Sequence, residues 1–146
     1  MNPRLGRGRP IVAFGATLAL VGSFLPWVSA GEMTGRVVTG NGLSGTGILV
    51  FIAAVLSLIC ILLPYASASG RSSADQPPAY AILAGIAVIG LILTLAQLLT
   101  AGALRLWPPD RAPGLLLAII GVLLMAAGAA ELLGDRKPDR PIRPRR

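Results

Sequence analysis

Four long stretches of this chain carry no charged residue: Pro10 to Gly31, Val37 to Gly70, Gln76 to Leu104 and Ala112 to Ala130. A hydrocarbon core of ~30 Å is crossed by roughly 20 apolar residues of α-helix. Each stretch holds one such segment, at about 11–30, 45–65, 79–104 and 113–133. Charged residues make up only 13% of the 146 and hydrophobic ones 54%, whereas a soluble domain carries about 25% charged residues. A transmembrane β-barrel would read as ~10-residue segments of alternating polarity. The run Ile48-Leu49-Val50-Phe51-Ile52-Ala53-Ala54-Val55-Leu56 does not alternate. Water is absent from the bilayer core, so the backbone must satisfy itself, and a helix does so within one segment. The expected fold class is therefore all-α membrane, a four-transmembrane-helix bundle. A basic segment at 1–10 precedes the membrane domain at 11–133, and a basic Pro/Arg tail follows at 134–146.

The cationic residues orient this bundle. With both termini inside, the inner side holds Arg4, Arg7, Arg9, Arg71, Arg136, Lys137, Arg140, Arg143, Arg145 and Arg146. The outer side then holds only Arg36, Arg105 and Arg111. The reading is N-in/C-in, in the plasma membrane. The aromatic residues agree, because amphipathic rings favour the headgroup level. Trp27 and Trp107 fall at outer helix ends, Tyr65 and Tyr80 at inner ones. One rival concerns the first segment. Basic residues, an apolar run and the small residues Val28-Ser29-Ala30 also read as a secretory leader with a cleavage site. Cleavage after Ala30 would leave three spans in the same orientation, so topology does not separate the readings. Pro26-Trp27 beside the site, and the packing stripe within the segment, favour retention.

Several chemistries are disfavoured. The chain has no histidine and one cysteine, Cys60, mid-way along the second segment. This removes intramolecular disulfides, most zinc sites and histidine general-base catalysis. Cys60 reads as a small buried apolar residue, since hydrocarbon disfavours a thiolate. No cofactor and no enzyme activity are expected. The net charge of +7 lies mostly at the chain ends, as orientation signals do, and does not point to nucleic acid. Gly40-Asn41-Gly42-Leu43-Ser44-Gly45 fits the spacing of a dinucleotide-binding loop. That motif needs an amphipathic helix and an acid about 20 residues on; here a membrane segment follows, with Ile61 to Pro64 in that place. The glycines instead suit a tight turn leading into the second helix.

The first outer loop, 31–44, reads either as a short β-hairpin or as an irregular loop, with Thr39-Gly40-Asn41-Gly42 as turn chemistry. The Pro/Arg tail suits attraction to anionic lipid, on the order of 1 kcal/mol per cationic residue near the surface. Small residues recur in steps of three and four: Gly15, Ala19 and Gly22, then Pro26; Ala87, Gly90, Thr94, Gln97 and Ala101; and Gly114, Ala118, Gly121, Met125 and Gly128. Such steps put each set on one helix face. In lipid, small faces let helices approach and gain dispersion contacts. Gly90 and Gly121 are thus expected at packing seams. Gln97, the only amide in a span, is expected to hydrogen-bond a neighbouring helix. Glu131 follows Gly128 on the same stripe and is expected to pair with Arg136 at the inner boundary. Pro26 is expected to kink the first helix by freeing the Gly22 carbonyl. Trp27 is expected at headgroup depth, as an anchor covering the glycine-rich loop or as an exposed partner-binding residue; its removal would then cost about 1–2 kcal/mol.

The run Phe24-Leu25-Pro26-Trp27, followed by Gly42-Leu43-Ser44-Gly45-Thr46-Gly47, resembles small four-span membrane proteins of actinobacteria and similar high-GC bacteria. The resemblance covers about the first 60 residues. It implies architecture and localisation, and it transfers no site. The expected function is that of a structural or accessory membrane protein, associating with a membrane assembly or with itself. The other reading is a small transporter or channel-like protein for an uncharged or apolar solute, with a polar cavity around Thr94, Gln97 and Thr100.

Overall fold

The computed structural model describes residues 7–30, 38–43, 45–66, 77–100 and 113–134. Trp107, Arg136, the second and third loops and the C-terminal tail lie outside the described residues. Four helices and one small sheet account for nearly all of what is described. They are α1 (Gly8–Phe24), β1 (Pro26–Ala30), β2 (Val38–Asn41), α2 (Ile48–Ala66), α3 (Pro77–Thr100) and α4 (Pro113–Gly134), with a single 3-10 turn at Gly45–Gly47 before α2. The spans Gly45–Pro64, Pro77–Thr100 and Pro113–Gly134 are long and apolar enough to cross a membrane, with mean hydropathies of 2.9, 2.5 and 2.4. Helix α1 is apolar but shorter, at 17 residues. At 1.5 Å per residue it is about 25 Å long, at the lower end of spanning length. The chain therefore has the helices of a multi-pass membrane protein.

The first helix does not run to residue 30 as expected. It begins three residues earlier, at Gly8, and stops at Phe24. Leu25 is extended, with φ −80° and ψ 159°, because the ring of a following proline disfavours helical geometry in the residue before it. Pro26 therefore ends the helix and starts a strand; it kinks nothing. Strands β1 and β2 pair antiparallel, Ser29 opposite Thr39 and Ala30 opposite Val38. The hairpin thus recruits the last five residues assigned to the first span. The second helix starts at Ile48 rather than 45, because Gly45, at φ +65°, takes a left-handed conformation that no α-helix accommodates. The third starts at Pro77, where a proline suits the first turn.

The helices form a ring in which each touches its neighbours in sequence, and α4 closes against α1. That last contact is by far the most extensive. The two helices run antiparallel: Gly8 lies against Gly128, Gly15 against Gly121 and Gly22 against Gly114. Helices α2 and α3 are also antiparallel, since Thr46 reaches Thr94 and Gly90 faces Leu49.

Side-chain size is inverted relative to a soluble bundle. The buried positions are largely small: Ala16, Ala19, Ala53, Ala54, Ala84, Ala87, Ala118 and Ala129. The outer surface carries the bulk, including Phe14, Leu62, Ile82 and Leu123, each more than 60% exposed. In water that arrangement would forfeit about 1.5–3 kcal/mol for each large side chain left outside. In lipid it forfeits nothing, and small residues inside permit close packing.

Candidate functional site

Among the described residues, a cluster of polar and aromatic groups gathers at one end of the bundle. There the last turn of α1, the hairpin, the 3-10 turn, the last turns of α3 and the first turn of α4 meet. Trp27 is its centre. The β1–β2 register is irregular between Pro26 and Val28, and Trp27 is the residue left without a partner there. An unpaired residue of this kind re-aims a side chain. The indole turns inward over the glycine-rich loop and is 3% exposed, which corrects the alternative expectation of an exposed partner-binding ring. Its Nε1–H donates to the carbonyl of Gly22 at 2.8 Å. That carbonyl belongs to the last turn of α1, whose four terminal carbonyls have no partner within the helix. Trp27 therefore caps the helix that Pro26 terminates.

Gly42 receives the indole from the other side, and Gly47 packs against Gly42. A Cβ on Gly42 would lie 2.5–2.7 Å from three of its atoms, and one on Gly47 would collide with the Gly42 carbonyl. The glycines at 42 and 47 thus serve close approach, while Gly45 serves the turn. Phe24 and Phe51 meet edge to face beside this point, with centroids 5.7 Å apart. Helices α1 and α2 are pinned together across the loop that joins them.

A hydrogen-bonded chain fastens α3 to the same end. Thr46 Oγ1 lies 2.8 Å from Thr94 Oγ1 and 3.0 Å from Gln97 Oε1, and Thr94 donates to the Gly90 carbonyl at 2.8 Å. Each hydroxyl has a single proton. With Thr46 donating to Gln97, Thr94 must choose between Thr46 and Gly90. If the near-isosteric amide of Gln97 presents its nitrogen instead, protons run Gln97 to Thr46 to Thr94 to Gly90 and all three bonds form together. Thr46 was not among the residues singled out in the sequence. Its position within the glycine-rich lead-in to α2 gave no signal; its role depends on α3 returning alongside.

Gln97 is thus bonded to a neighbouring element while remaining exposed. Thr100 does not join the cluster: its hydroxyl reaches the Ala96 and Gln97 carbonyls of its own helix at 3.1 and 3.0 Å. The buried Ser23 and Ser57 likewise donate back to Ala19 and Ala53, both at 2.8 Å.

The seams expected from small residues are tight. A Cβ on Gly121 would meet the Ala19 nitrogen and would lie 2.6 Å from the Gly15 carbonyl oxygen. One on Gly90 would come within 2.7 Å of Leu49 Cβ. Gly8, outside the stripe read from the sequence, meets Gly128 and Leu132, so the seam continues through Leu132. Glu131 is exposed and lies off that face, a correction to its placement on the stripe. Tyr80, expected at the inner headgroup level, is 2% exposed and packs in the core. Cys60 is half-buried at the edge of the core. Among the described residues no group of three or more His, Cys, Asp or Glu comes together to hold a metal ion.

No protein-family model matches the chain, and no curated protein or solved structure matches it.

Proposed function

We propose that this chain is a structural or accessory protein of the plasma membrane, crossing it four times with both termini inside, of the small four-span kind found in actinobacteria and similar bacteria. Its task is association with a membrane assembly or with itself. The observation that supports this is the use of its polar groups. The Thr46, Thr94 and Gln97 side chains bond across elements, Ser23 and Ser57 bond within their helices, and the Trp27 indole closes α1. They fasten helices. A path for an uncharged solute would need Thr94, Gln97 and Thr100 to converge, and Thr100 turns away.

Purification in mild detergent tests the reading. A homo-oligomer or a stoichiometric co-purifying membrane protein is expected; a monodisperse monomer without companion would overturn it. Orientation is tested in a Cys60→Ala background. Cysteines placed at Thr34 and Asp110 should react with an impermeant thiol reagent in intact cells, and ones at Ser72 and Pro144 should not. Labelling at Pro144 would reverse the topology.

A further inference from the structure

The residues that look like a leader-peptidase site are built into the hairpin. Small residues at Val28-Ser29-Ala30, after a basic segment and an apolar run, are what such a peptidase reads. It reads them as an extended strand whose backbone groups are free to pair with the enzyme, in the manner of strand addition. Here one edge of that backbone is already taken by β2, Val28 opposite Gly40, Ser29 opposite Thr39 and Ala30 opposite Val38, and a strand held in a hairpin cannot enter the enzyme's cleft as a single extended chain. Immediately before it, Trp27 is buried, bonded to Gly22 and seated on Gly42.

We propose that the Trp27–Gly42 hairpin is a latch that withholds Val28-Ser29-Ala30 from leader peptidase, so that α1 stays in the mature protein. The inference rests on the outward orientation of the hairpin argued above.

Chain order requires that any structural protection of this site be local. The main partner of α1 is α4, which starts at Pro113. At ~5–20 residues per second of synthesis, the 83 residues from Ala30 to Pro113 take on the order of 4–17 s. Through that interval the α1–α4 seam does not exist and cannot protect the site. A β-hairpin forms in about 1–10 μs, and every part of the latch lies within residues 22–47. Protection is therefore local and early, and the seam closes later on a helix that has been kept.

The test is the N-terminus of the full chain, C-terminally tagged and read by intact mass from its own membrane, with four sequences compared. The wild type should retain residues 1–30. Trp27→Ala and Gly42→Leu, which remove the indole or its seat, should yield a product beginning at Gly31. Gly121→Leu, which breaks the seam and leaves the latch intact, should retain residues 1–30. A wild type beginning at Gly31 overturns the proposal. So does full retention in both latch variants, or cleavage of Gly121→Leu as complete as that of Trp27→Ala, which would mark general unfolding as the cause. Thr34→Cys, in a Cys60→Ala background, is labelled from outside in parallel. Failure of the latch with labelling intact leaves the orientation standing; loss of labelling overturns both.

Discussion

Two pairs of helices in this bundle are held by different means. Between α1 and α4, glycines at 8, 15 and 22 face glycines at 128, 121 and 114, and backbone lies on backbone. Between α2 and α3, one glycine, Gly90, lets the helices approach, and a chain of side-chain hydrogen bonds through Thr46, Thr94 and Gln97 does the rest. Spacings of seven on both α1 and α4 keep each glycine row facing its partner as the helices wind around each other. A polar clasp requires no such repeat, because one directional bond fixes the register. In lipid neither pair gains from apolar burial alone. The seam depends on the absence of atoms along the length of α1, and the clasp on the presence of a few at one end. Damage should therefore propagate along the seam and stay local at the clasp.

Four substitutions test that contrast by thermal melting in detergent. The largest effect belongs to the cap of the seam. Trp27→Ala removes a buried ring and leaves a cavity between Gly22 and Gly42, and should cost about 3–5 kcal/mol. This exceeds the loss of about 1–2 kcal/mol expected from the sequence for lost burial of an anchoring ring, and a loss within that smaller range would mean that the indole is not a core element of the bundle. Gly121→Ala comes next. Its Cβ would meet the Ala19 and Gly15 backbones, which cannot rotate out of the way, so a cost of about 1–3 kcal/mol follows. Thr94→Val keeps the shape and removes the hydroxyl; breaking the clasp should cost about 0.6–2 kcal/mol. If Thr94→Val proved more damaging than Gly121→Ala, the clasp rather than the seam would hold the bundle. The smallest effect has the opposite sign. A Cβ on Gly85 meets nothing within 4 Å, so Gly85→Ala should stabilise by up to about 1 kcal/mol through helix propensity. Destabilisation there would mean that Gly85 is in contact with something outside the chain.

The stripes Gly15–Ala19–Gly22 and Gly114–Ala118–Gly121–Met125–Gly128 were legible from spacing alone, and so was the close approach at Gly90. Gly8 was not, because it precedes the apolar run that marks the first helix. Glu131 was misplaced by one face, since a step of three from Gly128 leads away from the contact that Leu132 continues by a step of four. Trp27 and its cover over the glycine-rich loop were legible, but its full burial and its bond to the Gly22 carbonyl were not. Its proximity to the helix end suggested an interface anchor, and the hairpin that folds it inward needs a partner strand at Val38–Asn41.

The sequence by itself determined where apolar helices form, because charge-free length is a local property that the bilayer reads segment by segment. It also determined that their contacts are made by small residues, since helical spacing is local too. Which small faces meet was decided only by tertiary structure. Gly22 and Gly114 are brought together by three intervening turns of the chain, and nothing near either glycine specifies the other. The fate of Pro26–Ala30 was decided there as well. Those residues are apolar enough to continue a helix, and they form a strand because Pro26 stops α1 and a second strand, lying beyond the loop, supplies their hydrogen bonds.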